Sequence, residues 1–299
     1  MFEQSTGFHR YLTDYAQSLY ANPEEDLDLH RLLFPAVKVG SNTGRFDKYD
    51  IHPALTSVNT ILARDGSPRR IQLDRRPAYW DCEPNALEIC NFKPDLLQDD
   101  ADIIKEDEIR TLMSAHFTGR KVMALEKVRA AVPAVQEAGK WGEADADPIE
   151  DIDTLCRAVS LGCGRTPNTL LMGVSAWAAL RRHAAVLARV HGIAVDITPQ
   201  TLADMLTYKG LTIHIAPTMA SVKGEMQELL AKDLLVFYRE DAPTRSDMSF
   251  GKEFTLSPNG PEVLEYEEKS VNVVDSLLWS SDTKVVNASA LSRLEIQVD

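Results

Sequence analysis

Cysteine is scarce, with four in 299 residues. Cys82 and Cys90, like Cys156 and Cys163, stand too far apart for the short knuckles of a zinc site. Long hydrophobic runs are missing too. The N-terminal stretch MFEQSTGFHRYLTDYAQSLY lacks the apolar core of a signal peptide. Nowhere do apolar residues approach the roughly 20 in a row that a membrane-spanning helix needs. Positive charge is the minority sign, with 32 Lys plus Arg against 45 Asp plus Glu and a net charge of −13. Phosphate binding needs positive faces, so such a surface cannot hold nucleic acid over its whole extent, although a local basic patch remains compatible. The seven histidines are scattered, and the H-E-x-x-H pattern is absent. These absences predict free thiols, no metal, no cofactor, and a soluble protein of a reducing compartment.

What is present begins with a long proline-free stretch, Asp95 to about Val132. Ile109, Leu112, Met113, Phe117, Ala124, Leu125, Val128 and Val132 recur at helical spacing along it. Acidic residues crowd its N-terminal half, while Lys121, Lys127 and Arg129 lie in the other half, the polarity a helix dipole favours. Pro94 suits the start, and Pro133 then Gly139 suit the exit. A helix of this length would span roughly 55 Å. Arg110 and Arg120 sit inside the apolar stripe, and Thr118-Gly119 interrupts it, so the stretch reads as one helix, a kinked helix or two.

Before it, a short helix is expected around Tyr11–Tyr20 and a strand-like run over Phe34–Gly40. From Ser41 to Phe92, turn signals such as Asp65-Gly66 alternate with strand-like runs poor in core residues. That pattern predicts an extended β-hairpin arm. After the helix, a polar connection precedes Asp147-Pro148, read as N-cap and first position of a helix that Gly162 ends. A buried strand (Asn168–Val174), a helix SAWAALRRHAAVLARV capped by Ser175, a helix after Thr198, and strands LTIHIAP and DLLVFYRE imply a compact α/β unit. The remainder reads as strands only.

Chemistry-bearing patterns are thin. Gly173-Val174-Ser175-Ala176-Trp177 follows a strand and opens a helix, as a hydrolase nucleophile elbow would, but Trp177 stands where the elbow needs glycine. Ser175 as a helix cap explains the residue. Gly162-Cys163-Gly164 fits neither a dinucleotide fingerprint nor a phosphate loop. His214 reads as a core histidine and His183 as lining a helix surface. Arg69, Arg70, Arg75 and Arg76 bracket IQLD on the arm, with Tyr79 and Trp80 close by. They could track a nucleic-acid strand, meet a neighbouring acidic subunit, or form plain solvated surface; charge complementarity favours the subunit.

Taken in order, these parts resemble the major capsid proteins of tailed bacteriophages, the Hong Kong 97-type fold. FPAVKVGSNTGRFDKYD stands at the junction of arm and hairpin and DLLQDDADIIKEDEIRTLMSAHFTGRKVMALEKVRAAV at the spine-helix position. DPIEDIDTLCRAV, PNTLLMGVSAWAALRRH, GLTIHIAPTMA, DLLVFYREDAP and SFGKEFTLS follow as axial elements, and VLEYEEKSVNVVDSLLWSSDTKVVNASAL as closing strands. The resemblance implies an α+β protein with an N-terminal arm (1–40), an extended β-hairpin or E-loop (41–92), a peripheral domain with the spine helix (93–147), an axial α/β domain (148–250), and peripheral return strands (251–299). It implies hexamers and pentamers closing an icosahedral shell around double-stranded DNA, without sequence-specific binding or a membrane. It further implies a portal, a separate scaffolding protein, room for a decoration protein, and assembly in the host bacterial cytoplasm. Arg69, Arg70, Arg75, Arg76, Tyr79 and Trp80 are the expected inter-subunit contacts, with no catalytic, cofactor or metal residues. An encapsulin-like compartment shares this fold, and a small hydrolase using Ser175 is the remaining alternative.

Overall fold

The structure is a computed structural model that describes residues 7–23, 28–48, 57, 66, 76–92, 101–135, 140–143, 145–189, 197–222, 224–269 and 271–297. The first elements are β1 (Gly7–Phe8), α1 (Arg10–Ala21), α2 (Leu29–Leu33), β2 (Ala36–Lys38), β3 (Thr43–Lys48), β4 (Arg76–Asp81), β5 (Pro84–Phe92) and α3 (Ala101–Ala131). An alternating run follows: α4 (Pro148–Cys163), β6 (Thr169–Gly173), α5 (Val174–Arg182), α6 (Ala184–Arg189), α7 (Pro199–Met205), β7 (Thr212–Ala216), β8 (Met219–Val222), β9 (Glu225–Glu228) and β10 (Asp233–Phe237). The chain closes with β11 (Gly251–Thr255), β12 (Glu262–Glu268), β13 (Asn272–Val285) and β14 (Leu291–Glu295). Two compact units share these elements. One takes the described residues within Met1–Gly44, Tyr79–Ala124 and Glu253–Lys284, the other those within Arg45–Ala78, Leu125–Lys252 and Val285–Asp299.

The first unit is built on a six-stranded sheet in the order β1-β12-β13-β11-β2, with β5 paired to β13. Alternation along β13 sends Val273, Asp275 and Leu277 to one face, in register with Asn91, Ile89 and Leu87 of β5 and with Glu267, Glu265 and Val263 of β12. Helices α1 and α3 cover that face. Leu12, Ala16, Tyr20, Ile109, Leu112, Met113, Val263 and Leu277 form one buried cluster. Each large side chain there contributes on the order of 1.5–3 kcal/mol of burial energy. The long helix is single and runs unbroken through Thr118-Gly119. Arg120, the cation that spoiled its apolar stripe, is 6% exposed.

The second unit holds a four-stranded sheet, β14-β10-β6-β7. Strands β6 and β7 are parallel, while β10 runs antiparallel to β6 and β14. Both β6 and β10 are buried at every position, which explains their continuous apolar runs. Asp147 caps α4 as expected, accepting from Ile149 N at 3.1 Å and Glu150 N at 3.4 Å, with Pro148 at the first position. The helix ends later than expected, on Gly164, whose φ of 68° suits a residue without a side chain. Thr198 caps α7 through a reciprocal box with Thr201.

Three sequence expectations are corrected here. The helix expected from Ser175 onward is two, because His183 adopts an extended conformation (φ −68°, ψ 131°) between α5 and α6. His183 is buried rather than lining a surface. The last strand, β14, expected among the peripheral return strands, does not join the six-stranded sheet of the first unit; it pairs with β10 from Asp233↔Glu295 to Phe237↔Leu291. The closing strands read from the residues ended at Leu291, and strand propensity does not say which sheet edge a strand will meet. The Asp65-Gly66 turn lies largely outside the described residues.

Candidate functional site

Ser175 lies at the second position of α5, not at its cap. Gly173 is the cap and offers no side chain. It is glycine for a packing reason, since a Cβ there would overlap the backbone of Ala231. The capping work is done from β9: Glu228 accepts from Val174 N at 3.0 Å and from the Ser175 hydroxyl at 3.0 Å. A pocket of about 500 Å³ opens beside it, lined by Trp141, Ser175, Ala178, Arg182 and His183 among others. His183 cannot act as a base there. Its Nε2 donates to the Glu143 carbonyl at 3.3 Å and its Nδ1 accepts from Ala185 N at 3.3 Å, so both nitrogens hold backbone. The hydroxyl belongs to a helix-capping arrangement.

The six arm residues have different fates. Arg69, Arg70 and Arg75 lie outside the described residues. Arg76 opens β4 and is exposed, and Tyr79 is 66% exposed. Trp80, expected as an inter-subunit contact, is instead 3% exposed. Its ring stacks on Phe254 with centroids 5.0 Å apart, and Nε1 donates to the Ser41 carbonyl at 3.2 Å. Gly44 makes room for it, since a Cβ at that position would overlap the indole. The alternation of β4 therefore turns Trp80 inward and Tyr79 outward.

Sequence reasoning missed the buried charges. In the first unit Arg120 donates through Nη2 to Glu253 Oε2 at 2.5 Å and through Nη1 to the Tyr20 hydroxyl at 2.9 Å. The same Nη2 lies 2.7 Å from His30 Nδ1, and His30 Nε2 lies 3.1 Å from Thr283 Oγ1. A guanidinium has no lone pair to offer, so His30 Nδ1 accepts and the ring is neutral, with its proton on Nε2. Burial opposes the charge on Arg120, but Glu253 and Tyr20 outweigh it and raise its pKa. Close by, burial and then Arg120 push His116 down to about 3. The arginine inside an apolar stripe was the one available signal, because such a residue needs a buried partner.

The second unit has its own hub. Asp233, 4% exposed, accepts from Arg129 Nε at 3.1 Å and Nη2 at 2.6 Å, and from Arg293 Nε at 2.8 Å. Lys252, fully buried, reaches Asp247 at 3.0 Å. The four cysteines are free thiols. Burial raises Cys82 to about 11 and Cys156 to about 12, far from a reactive thiolate. Among the described residues no group of three or more His, Cys, Asp or Glu could hold a metal ion. No described helix is long and apolar enough to cross a membrane.

Residues 128–250, from the last turn of α3 to the start of β11, match the family described as Phage major capsid protein E. A phage-related protein from Bordetella bronchiseptica shares the fold with a TM-score of 0.76 at 18% identity, covering 98% of each chain. The fold is the Hong Kong 97-type phage capsid fold. A structure from Mycobacterium phage Che8 superposes with a TM-score of 0.54 at 11% identity, over 98% of this chain and 92% of that one. An encapsulin complex from Synechococcus elongatus gives 0.56 at 14% identity, over 91% of this chain and 89% of that one. No curated protein sequence matches. In the terms of the Hong Kong 97-type fold, α3 is the spine helix, and β3 and β4 pair with each other.

Proposed function

We propose that this chain is a major capsid protein whose copies associate as hexamers and pentamers into an icosahedral shell around double-stranded DNA. One observation carries the reading. A capsid-family match over 128–250 lies inside a fold shared, end to end, with a phage-related protein. The charge balance supports it, because a wall of net charge −13 would not adhere to DNA moving past it. The proposal extends to assembly in the host bacterial cytoplasm with a separate scaffolding protein and a portal. Exposed Tyr79 and the arm arginines Arg69, Arg70, Arg75 and Arg76 serve as contacts to neighbouring copies.

Electron microscopy of the purified protein, beside its size-exclusion mass, tests this. Closed shells, tubes, or pentamers and hexamers are expected. A stable monomer or dimer, unchanged by added scaffolding protein, would sink the reading. An encapsulin-like compartment is the second reading, favoured by the fold shared with the Synechococcus encapsulin over 91% of the chain. Nuclease-protected DNA inside native shells supports the capsid, and an enclosed enzyme supports the compartment.

A further inference from the structure

Asp275 occupies the middle of the first unit's sheet and has no solvent exposure. Neither of its carboxyl oxygens has a hydrogen-bond partner. A buried carboxylate without donors is costly, and proteins avoid the cost by pairing the charge or neutralising it. The surroundings do not pair it. Across the ladder stand Ile89 on β5 and Glu265 on β12. From α3 come Lys105 and Glu108, and from the turn before α1 comes His9. Lys105 is already engaged by Glu265, and Glu108 accepts from the Asn91 amide at 2.5 Å. The seam between the N-terminal half of α3 and the sheet thus gathers three carboxylates around one lysine.

We propose that Asp275 is a proton-operated latch on this seam: its neutral carboxyl closes α3 onto the sheet, and its ionised carboxylate loosens it. This goes beyond the shell reading and does not depend on it. Burial, and then Glu265 and Glu108 against the pull of Lys105, raise the Asp275 carboxyl to about 6. A pKa raised on folding gives stability that is complete below the unfolded value of about 4 and is lost as the pH rises through about 6. The latch therefore closes in mild acid and opens at neutral pH.

Hydrogen exchange of the α3 and β13 amides in the native protein, at pH 5 and pH 7.5, reads this directly once rates are converted to opening constants. The wild type should open roughly tenfold less at pH 5 than at pH 7.5. Asp275→Asn should open more rarely than the wild type at both pH values, by roughly tenfold at pH 5 and by roughly a hundredfold at pH 7.5, with no difference of its own between the two. Asp275→Leu, which removes the polar group altogether, should do the same. A flat wild-type profile overturns the proposal without any variant. So does either variant retaining the wild-type pH dependence. If millimolar magnesium or calcium protects the wild type at pH 7.5 as acid does, the site seats a cation and the proton latch is also overturned.

Discussion

Two buried strand aspartates, one in each unit, differ in what reaches them. Asp233 at the start of β10 is 4% exposed and takes three donor atoms from Arg129 and Arg293. Asp275 on β13 has no exposure, and no donor reaches either oxygen. The same residue type is therefore a clamp in one unit and an uncompensated charge in the other. Burial alone sets neither role. Charge balance within hydrogen-bonding reach does, because a carboxylate in low dielectric is held by donors or titrates. Glu253, clasped by Arg120, shows that the first unit also builds compensated charges.

The largest expected effect comes from breaking that compensated case. Arg120→Met should leave Glu253 buried without its cation and cost about 3–5 kcal/mol, read as a fall in the urea midpoint. An unchanged midpoint would mean that Glu253 carries no charge in the folded state. Asp233→Asn should cost less, about 1–3 kcal/mol, because the amide oxygen still accepts and Arg129 is partly solvated. Asp275→Asn should have the opposite sign. At pH 7.5 it should stabilise the protein by about 1–3 kcal/mol, and the gain should roughly halve by pH 5 and vanish below about pH 4, where the carboxyl is protonated in the unfolded chain too. A loss of stability at pH 7.5 would show the two aspartates to be alike. Ser175→Ala should cost the least, about 0.5–1 kcal/mol in thermal unfolding, since one hydrogen bond to Glu228 is removed.

Local physics explains which parts were readable in the residues. The spine helix announced itself through its apolar spacing and end-to-end charge gradient, and the α4 cap through Asp147-Pro148. Continuous apolar runs marked β6 and β10, and the order of parts pointed to the Hong Kong 97-type fold. The break at His183 was not readable, because Arg182-His183-Ala184 carries no proline or glycine and the ring's bonds to Glu143 and Ala185 are what hold the turn. Nor was the inward turn of Trp80, which depends on the space left by Gly44 and on the Phe254 ring beneath it.

The residues by themselves determined an acidic α+β chain, the long helix, the caps of α4 and α7 and many of the strands, since propensity, periodicity and capping act over a few positions. Tertiary structure alone decided which sheet received β14 and which buried charges were balanced. Arg129 meets Asp233 across 104 positions of chain and Arg293 meets it across 60. No nearby residue in sequence tells Asp233 from Asp275, because the balance of a buried charge depends on what folding brings within about 3 Å of it.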